Sequence, residues 1–146
     1  MLNFRPRRSI CAYMPTVSES VRQAIAVRSH AYTPYSQFAV GAAVAIEGVE
    51  HPIVGCNVEN VSFGATICAE RVALLTAIAQ YGVRRVEHLV VLSDRDEPVV
   101  PCALCLQVLQ EFCEPAMPIY LANLGGVVRT LTLDQLLPHR FSEFTS

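Results

Sequence analysis

Val86-Glu87-His88-Leu89-Val90-Val91-Leu92-Ser93, followed by a charged stretch from Asp94 to Pro101 and then Cys102-Ala103-Leu104-Cys105, is the segment that decides the fold. Its first part is a continuous apolar run, the pattern of a buried strand. Leu104, Val108 and Phe112 then recur on one helical face, so a helix is expected from Cys102 to Phe112. Met117 to Ala122 is apolar again and reads as the next strand. Strand, helix, strand favours a parallel pair joined by a right-handed crossover. Downstream, Asn123 to Gly126 turns the chain into a strand over 127–131, and Thr132-x-x-Gln135 caps a short helix that Pro138 ends. Upstream, Cys68 to Tyr81 is apolar nearly all round, which predicts a central helix, and Gly82 stops it. Phe38 to Ile46 and Pro52 to Val58 read as partner strands around Glu47-Gly48, with a loop over 59–67. Thr16-x-x-Glu19 opens a first helix over 17–31, carried by Val17, Val21, Ala24 and Ile25. The order α-β-β-α-β-α-β-β-α predicts an α/β fold: one three-layer α/β/α domain on a five-stranded mixed sheet.

That domain is expected over 15–146, behind a flexible leader at 1–14 that holds the basic cluster Arg5-Pro6-Arg7-Arg8; Met14 is a second candidate start. The 146 residues are 52% apolar and 16% charged, which excludes a disordered chain. No apolar stretch is long enough to span a bilayer, so no membrane partner is expected. Net charge is −2, with 11 arginines and no lysine, so there is no basic field to grip nucleic acid. Six cysteines are many for this length. No secretory segment follows the basic start, so a reducing cytoplasm is expected, where clustered cysteines suggest metal binding or catalysis.

Cys68-Ala69-Glu70 and Pro101-Cys102-x-x-Cys105 each open a predicted helix that follows a strand. If those strands are parallel neighbours, both helix N-termini meet at one sheet edge, where α/β folds bind ligands. Cys102 and Cys105 share a helix face at i, i+3. With Cys68 they offer three thiolates and leave a fourth position open, the arrangement of a catalytic zinc. Glu70, two residues from Cys68, is placed to shuttle a proton without being a ligand. Arg71 is the candidate cation beside the thiolates. The plainer readings are three buried free thiols, a structural zinc, and a solvated acid at a helix start.

A ligand-x-Glu element followed by Pro-Cys-x-x-Cys is similar to the zinc deaminase signature. More closely, about Ser29 to Phe141 resembles the small homotetrameric cytidine deaminases of pyrimidine salvage. The motifs that carry the resemblance are Tyr35-Ser36-x-Phe38-x-Val40-Gly41-Ala42, Gly55-Cys56-Asn57-Val58-Glu59-Asn60, the two cysteine motifs, and Leu136-Leu137-Pro138-x-x-Phe141. The resemblance implies one zinc per chain, a pyrimidine nucleoside substrate and a homotetramer. It also implies that Asn57 and Glu59 hold sugar hydroxyls, that Phe38 and a neighbouring subunit's Phe141 sandwich the base, and that the Ala69 N–H holds the base O2. Water activated by the metal would attack C4, with Glu70 carrying the proton to N3 and then to ammonia.

Two departures stand out. Ala103-Leu104 replaces the usual Gly-Ala between the paired cysteines, and Leu106 replaces the following arginine, which leaves charge neutralisation to Arg71; Gln107 does match. Phe63 stands where the family often has tyrosine. The expected activity is hydrolytic deamination of cytidine and 2′-deoxycytidine. The alternatives are a deaminase for a related aminopyrimidine, such as a blasticidin-type antibiotic, and an inactive zinc-stabilised interaction protein.

Overall fold

The computed structural model describes residues 14–141, so the basic cluster at Arg5 to Arg8 and Cys11 lie outside the described residues. Ten elements follow in order: α1 (Val17–Arg28), β1 (Gly41–Ile46), β2 (Ile53–Cys56), a 3-10 turn (Phe63–Ala65), α2 (Ala69–Tyr81), β3 (Val86–Leu92), α3 (Ala103–Phe112), β4 (Pro118–Asn123), β5 (Gly126–Thr132) and α4 (Leu133–Leu136). The 3-10 turn is new; the other elements are the expected ones, most with shorter ends, while β4 is displaced by one residue and β5 is one residue longer at each end.

Local chemistry explains several boundaries. The Thr16 hydroxyl accepts from the Glu19 N–H at 3.1 Å and opens α1. α1 ends at Arg28, three residues early. The first expected strand loses Phe38 to Val40 because the Asn57 side chain takes its pairing groups. Asn57 Oδ1 accepts from the Val40 N–H and Nδ2 donates to the Phe38 carbonyl, both at 2.8 Å. Gln37, with φ +54°, turns the chain just before. At the other end, the Thr132 N–H donates to Gln135 Oε1 at 2.9 Å, as its capping motif implies.

The sheet order is β2-β1-β3-β4-β5. β1 is antiparallel to both β2 and β3, β3 and β4 are parallel, and β4 and β5 are antiparallel. The sheet is mixed, as expected, and α3 is the parallel crossover. α2 is different. The strand before it, β2, and the strand after it, β3, point the same way but are separated by β1. The two cysteine motifs therefore follow strands that are not neighbours.

Alternation along the strands divides the core. Ala42, Val44, Leu89, Val91, Ile119 and Leu121 pack towards α2, α3 and α4 with Ala73, Leu74, Leu109 and Leu133. Ala43, Val90, Leu92 and Ala122 pack towards α1 with Val21 and Ala24. Three layers result, with one helix alone on its side. Two glycines set how closely the helices lie. A Cβ on Gly41 would stand 2.1 Å from the Ala24 carbonyl oxygen in α1, and one on Gly55 would stand 2.4 Å from the Ala73 nitrogen in α2.

The register places the site. Gly41 pairs with Cys56 and with Leu92, and Leu92 with Ala122. The start of β1 and the ends of β2, β3 and β4 therefore share one edge. The segments leading out of this edge carry Phe38, Asn57, Cys68 and Cys102.

Candidate zinc and nucleoside site

Cys68 is the N-cap of α2 and Cys102 the N-cap of α3, with Cys105 in the first turn of α3. Cys68 Sγ lies 3.9 Å from Cys102 Sγ, which lies 3.6 Å from Cys105 Sγ. All three sulfurs fall within 4.8 Å of one another. A disulfide needs about 2 Å. Three sulfurs bound to one zinc at about 2.3 Å in tetrahedral geometry stand roughly 3.8 Å apart, so the donor set fits the metal. Burial is graded: Cys105 is buried, Cys68 intermediate and Cys102 exposed. The cluster thus reaches solvent on the Cys102 side, where a fourth position can open.

Charge is arranged around the sulfurs. A hydrogen bond with Cys105 and the nearby Arg71 pull the Cys68 thiol down to about 5. The same bond, with burial, drives Cys105 the other way. A dication among the three would ionise them all. Arg71 Nη2 donates to the Thr66 carbonyl at 3.3 Å and lies 3.7 Å from Cys68 Sγ, while its Nε is buried without an acceptor. Leu106 is buried in the core, so Arg71 is the cation that the structure places on these sulfurs. Glu70 is 5% exposed. Burial, helped by the Cys68 charge, pushes its carboxyl up to about 7. Such a group accepts and releases a proton near neutrality.

The other expected residues gather at the same edge. Asn57 spends two polar contacts on Phe38 and Val40, yet Nδ2 keeps a second hydrogen and Oδ1 a second lone pair. Glu59 Oε2 accepts from the Tyr35 N–H at 2.9 Å and the Ser36 N–H at 3.2 Å. The Ser36 hydroxyl is the main cause that holds its carboxyl below the usual range. Both side chains therefore shape the loop that carries Phe38. Phe38 is half-buried against the larger core. Ala69 is fully buried, so its N–H would have to be uncovered for a base to meet it. Phe141 is 60% exposed, and its carbonyl accepts from Gln107 Nε2 at 2.8 Å. Sequence reasoning noted Gln107 without this role. It also missed Arg28, whose Nε donates to the Ala39 carbonyl at 2.9 Å and whose Nη2 meets Asp94 at 2.6 Å. No local spacing signals either contact, because the partners are far apart in sequence.

Residues 14–121 match the family model for the cytidine and deoxycytidylate deaminase zinc-binding region. A cytidine deaminase of Sporosarcina psychrophila is 43% identical over 129 residues, which is 87% of this chain and 92% of the relative. One from Halalkalibacterium halodurans is 43% identical over 122 residues, 84% of this chain and 91% of that one. The crystal structure of cytidine deaminase from Burkholderia pseudomallei superposes with a TM-score of 0.80 at 39% identity, covering 87% of this chain and 100% of that one. The α/β fold and the thiol cluster define a zinc deaminase domain. The chain belongs to the cytidine and deoxycytidylate deaminase family of zinc enzymes.

Proposed function

We propose that this protein deaminates cytidine and 2′-deoxycytidine hydrolytically, giving the uridine nucleoside and ammonia. The observation that carries the reading is the meeting of Cys68, Cys102 and Cys105 within 4.8 Å, with the buried Glu70 between the first two in sequence and its carboxyl at about 7. Zinc held by those thiolates supplies a Lewis acid that makes water nucleophilic near neutral pH. Glu70 would accept the proton of the attacking water, pass it to N3 of the base, and carry the hydroxyl proton of the resulting C4 adduct to the departing amine. Arg71 offsets thiolate charge. Asn57 and Glu59 hold sugar hydroxyls with their remaining polar capacity, Phe38 stacks on the base, and the Ala69 N–H, once uncovered, donates to O2.

The assembly is proposed as a homotetramer. Val61 is 79% exposed, Phe63 74%, Leu104 67% and Leu75, on the apolar α2, 43%, surfaces that a second copy would cover. Phe141, exposed and tethered by Gln107, would then reach a neighbouring copy's base. Residues 15–146 are taken as one domain behind a leader at 1–14. A cytoplasmic enzyme of pyrimidine salvage fits the unpaired thiols among the described residues. No helix among the described residues is long and apolar enough to cross a membrane. The 43% identity to proteins named cytidine deaminase favours this activity over the antibiotic-directed and inactive alternatives.

The test is purified protein with its zinc measured per chain, mixed with cytidine and 2′-deoxycytidine. Loss of the cytosine absorbance with stoichiometric ammonia is expected. No turnover at one zinc per chain refutes the proposal, and turnover only of a non-ribosyl aminopyrimidine moves it to the antibiotic class.

A further inference from the structure

Arg95 lies in the loop between β3 and α3, and its guanidinium carbon stands 5.4 Å from the centroid of the Phe38 ring. That is within cation–π range. Arg95 is exposed and, among the described residues, forms no ion pair, although Asp94, Asp96 and Glu97 surround it in sequence. Glu97 is engaged by Arg129 at 3.2 Å, and Asp94 by Arg28 at 2.6 Å. The ring of Phe38 is what the Arg95 guanidinium faces.

The backbone around Phe38 is already held on three sides. Its N–H donates to the Ser36 hydroxyl at 3.0 Å, its carbonyl accepts from Asn57, and the next carbonyl, Ala39, accepts from Arg28. Arg28 bridges this segment to Asp94, the residue before Arg95. The Arg95 N–H donates to the buried Ser93 at 3.3 Å. One α1 arginine thus fixes both chain segments at the same edge, and the Phe38 ring itself is flanked by the larger core and by the Arg95 guanidinium.

We infer that Arg95 is a positioning residue for the nucleoside reaction: its guanidinium lies on one face of Phe38 and keeps the ring set so that the other face receives the pyrimidine. This rests on the reading that Phe38 stacks on the base. Arg95 acts through Phe38. An exposed cation–π contact is modest, so the expected change is about two- to five-fold. It should fall on KM, because ring placement affects how the base is received and not the proton transfers by Glu70.

The experiment uses the zinc-loaded full chain and four variants: Arg95→Met, Arg95→Lys, Phe38→Leu, and Arg95→Met combined with Phe38→Leu. Arg95→Met, which keeps an unbranched stem and loses the charge, is expected to raise KM for cytidine about two- to five-fold with kcat and Tm little changed. Arg95→Lys restores most of the loss, and Arg95→Met has no further effect once Phe38 is leucine. If Phe38→Leu raises KM while Arg95→Met does not, the role of Arg95 is overturned and the stacking reading stands. If Phe38→Leu leaves KM unchanged, the stacking reading itself fails. A lowered KM in Arg95→Met, the mark of a guanidinium that blocks the base, overturns the inference, as does equal loss in the methionine and lysine variants.

Discussion

Under α1, Ser20 Oγ meets His88 Nε2 at 2.8 Å, and the His88 ring sits edge-on to Tyr120 at 5.7 Å. Across the same sheet, under α2 and α3, Glu70 lies beside three thiols. Both faces bury polar groups, with Ser20 at 0% exposure, His88 at 6% and Glu70 at 5%. On the α1 side Ser20 and His88 meet each other beneath the helix, and both are buried. On the α2/α3 side the polar atoms stand at helix N-termini, and the cluster opens outward at Cys102. Buried polarity becomes a site only where the partners leave a valence open towards solvent.

The sharpest way to break this contrast is Glu70→Gln, which keeps the shape and removes the proton carrier. Turnover is expected to fall by about 10²–10⁴-fold while zinc per chain stays at the wild-type level. Activity that survives would return Glu70 to the same structural status as Ser20. Chelation is the next lever. Removing the metal should abolish turnover and lower Tm, since binding free energy at such a site is also folding free energy. Returning zinc should recover both in wild type, and the same cycle should run unchanged in His88→Gln.

The two glycines separate the faces by substitution. Gly41→Ala forces α1 away from the sheet, and Gly55→Ala forces α2 away, each for about 1–3 kcal/mol of stability. Only Gly55→Ala should weaken zinc binding as well, because α2 carries Cys68 and Glu70; competition with a chromogenic chelator would read the difference. Equal zinc affinity in the two variants would show that α2 tolerates the shift without moving its thiol.

The smallest effect concerns the sealed side. Burial lowers the pKa of His88 in the folded chain, while the unfolded chain titrates near 6.5. Below about pH 6.5 the unfolded state binds more protons, so stability falls as pH drops through that value towards the folded pKa. Tm followed from pH 7.5 to 5.5 isolates His88 by difference, because Glu70, raised to about 7, works in the opposite sense over the same window: the wild-type Tm should drop relative to that of His88→Gln as pH falls. Parallel curves would mean that His88 does not set the slope.

The sequence alone determined the elements and the chemistry of the ends of two helices. The capping motifs, the strand runs and the placement of Cys68 and Cys102 before apolar helices are local relations, and helical geometry converts i, i+3 spacing directly into a shared face. It also carried the resemblance that pointed to zinc. Tertiary structure decided which strands are neighbours. β1 inserts between β2 and β3, so the two cysteine motifs converge across a middle strand that no local spacing reveals. It also decided that Asn57 shortens β1 by occupying its pairing groups, that Gln107 tethers the tail, and that Arg95 rests on Phe38. Those contacts join residues 17 to 57 positions apart, and chain entropy leaves such pairings unspecified until the whole core is buried.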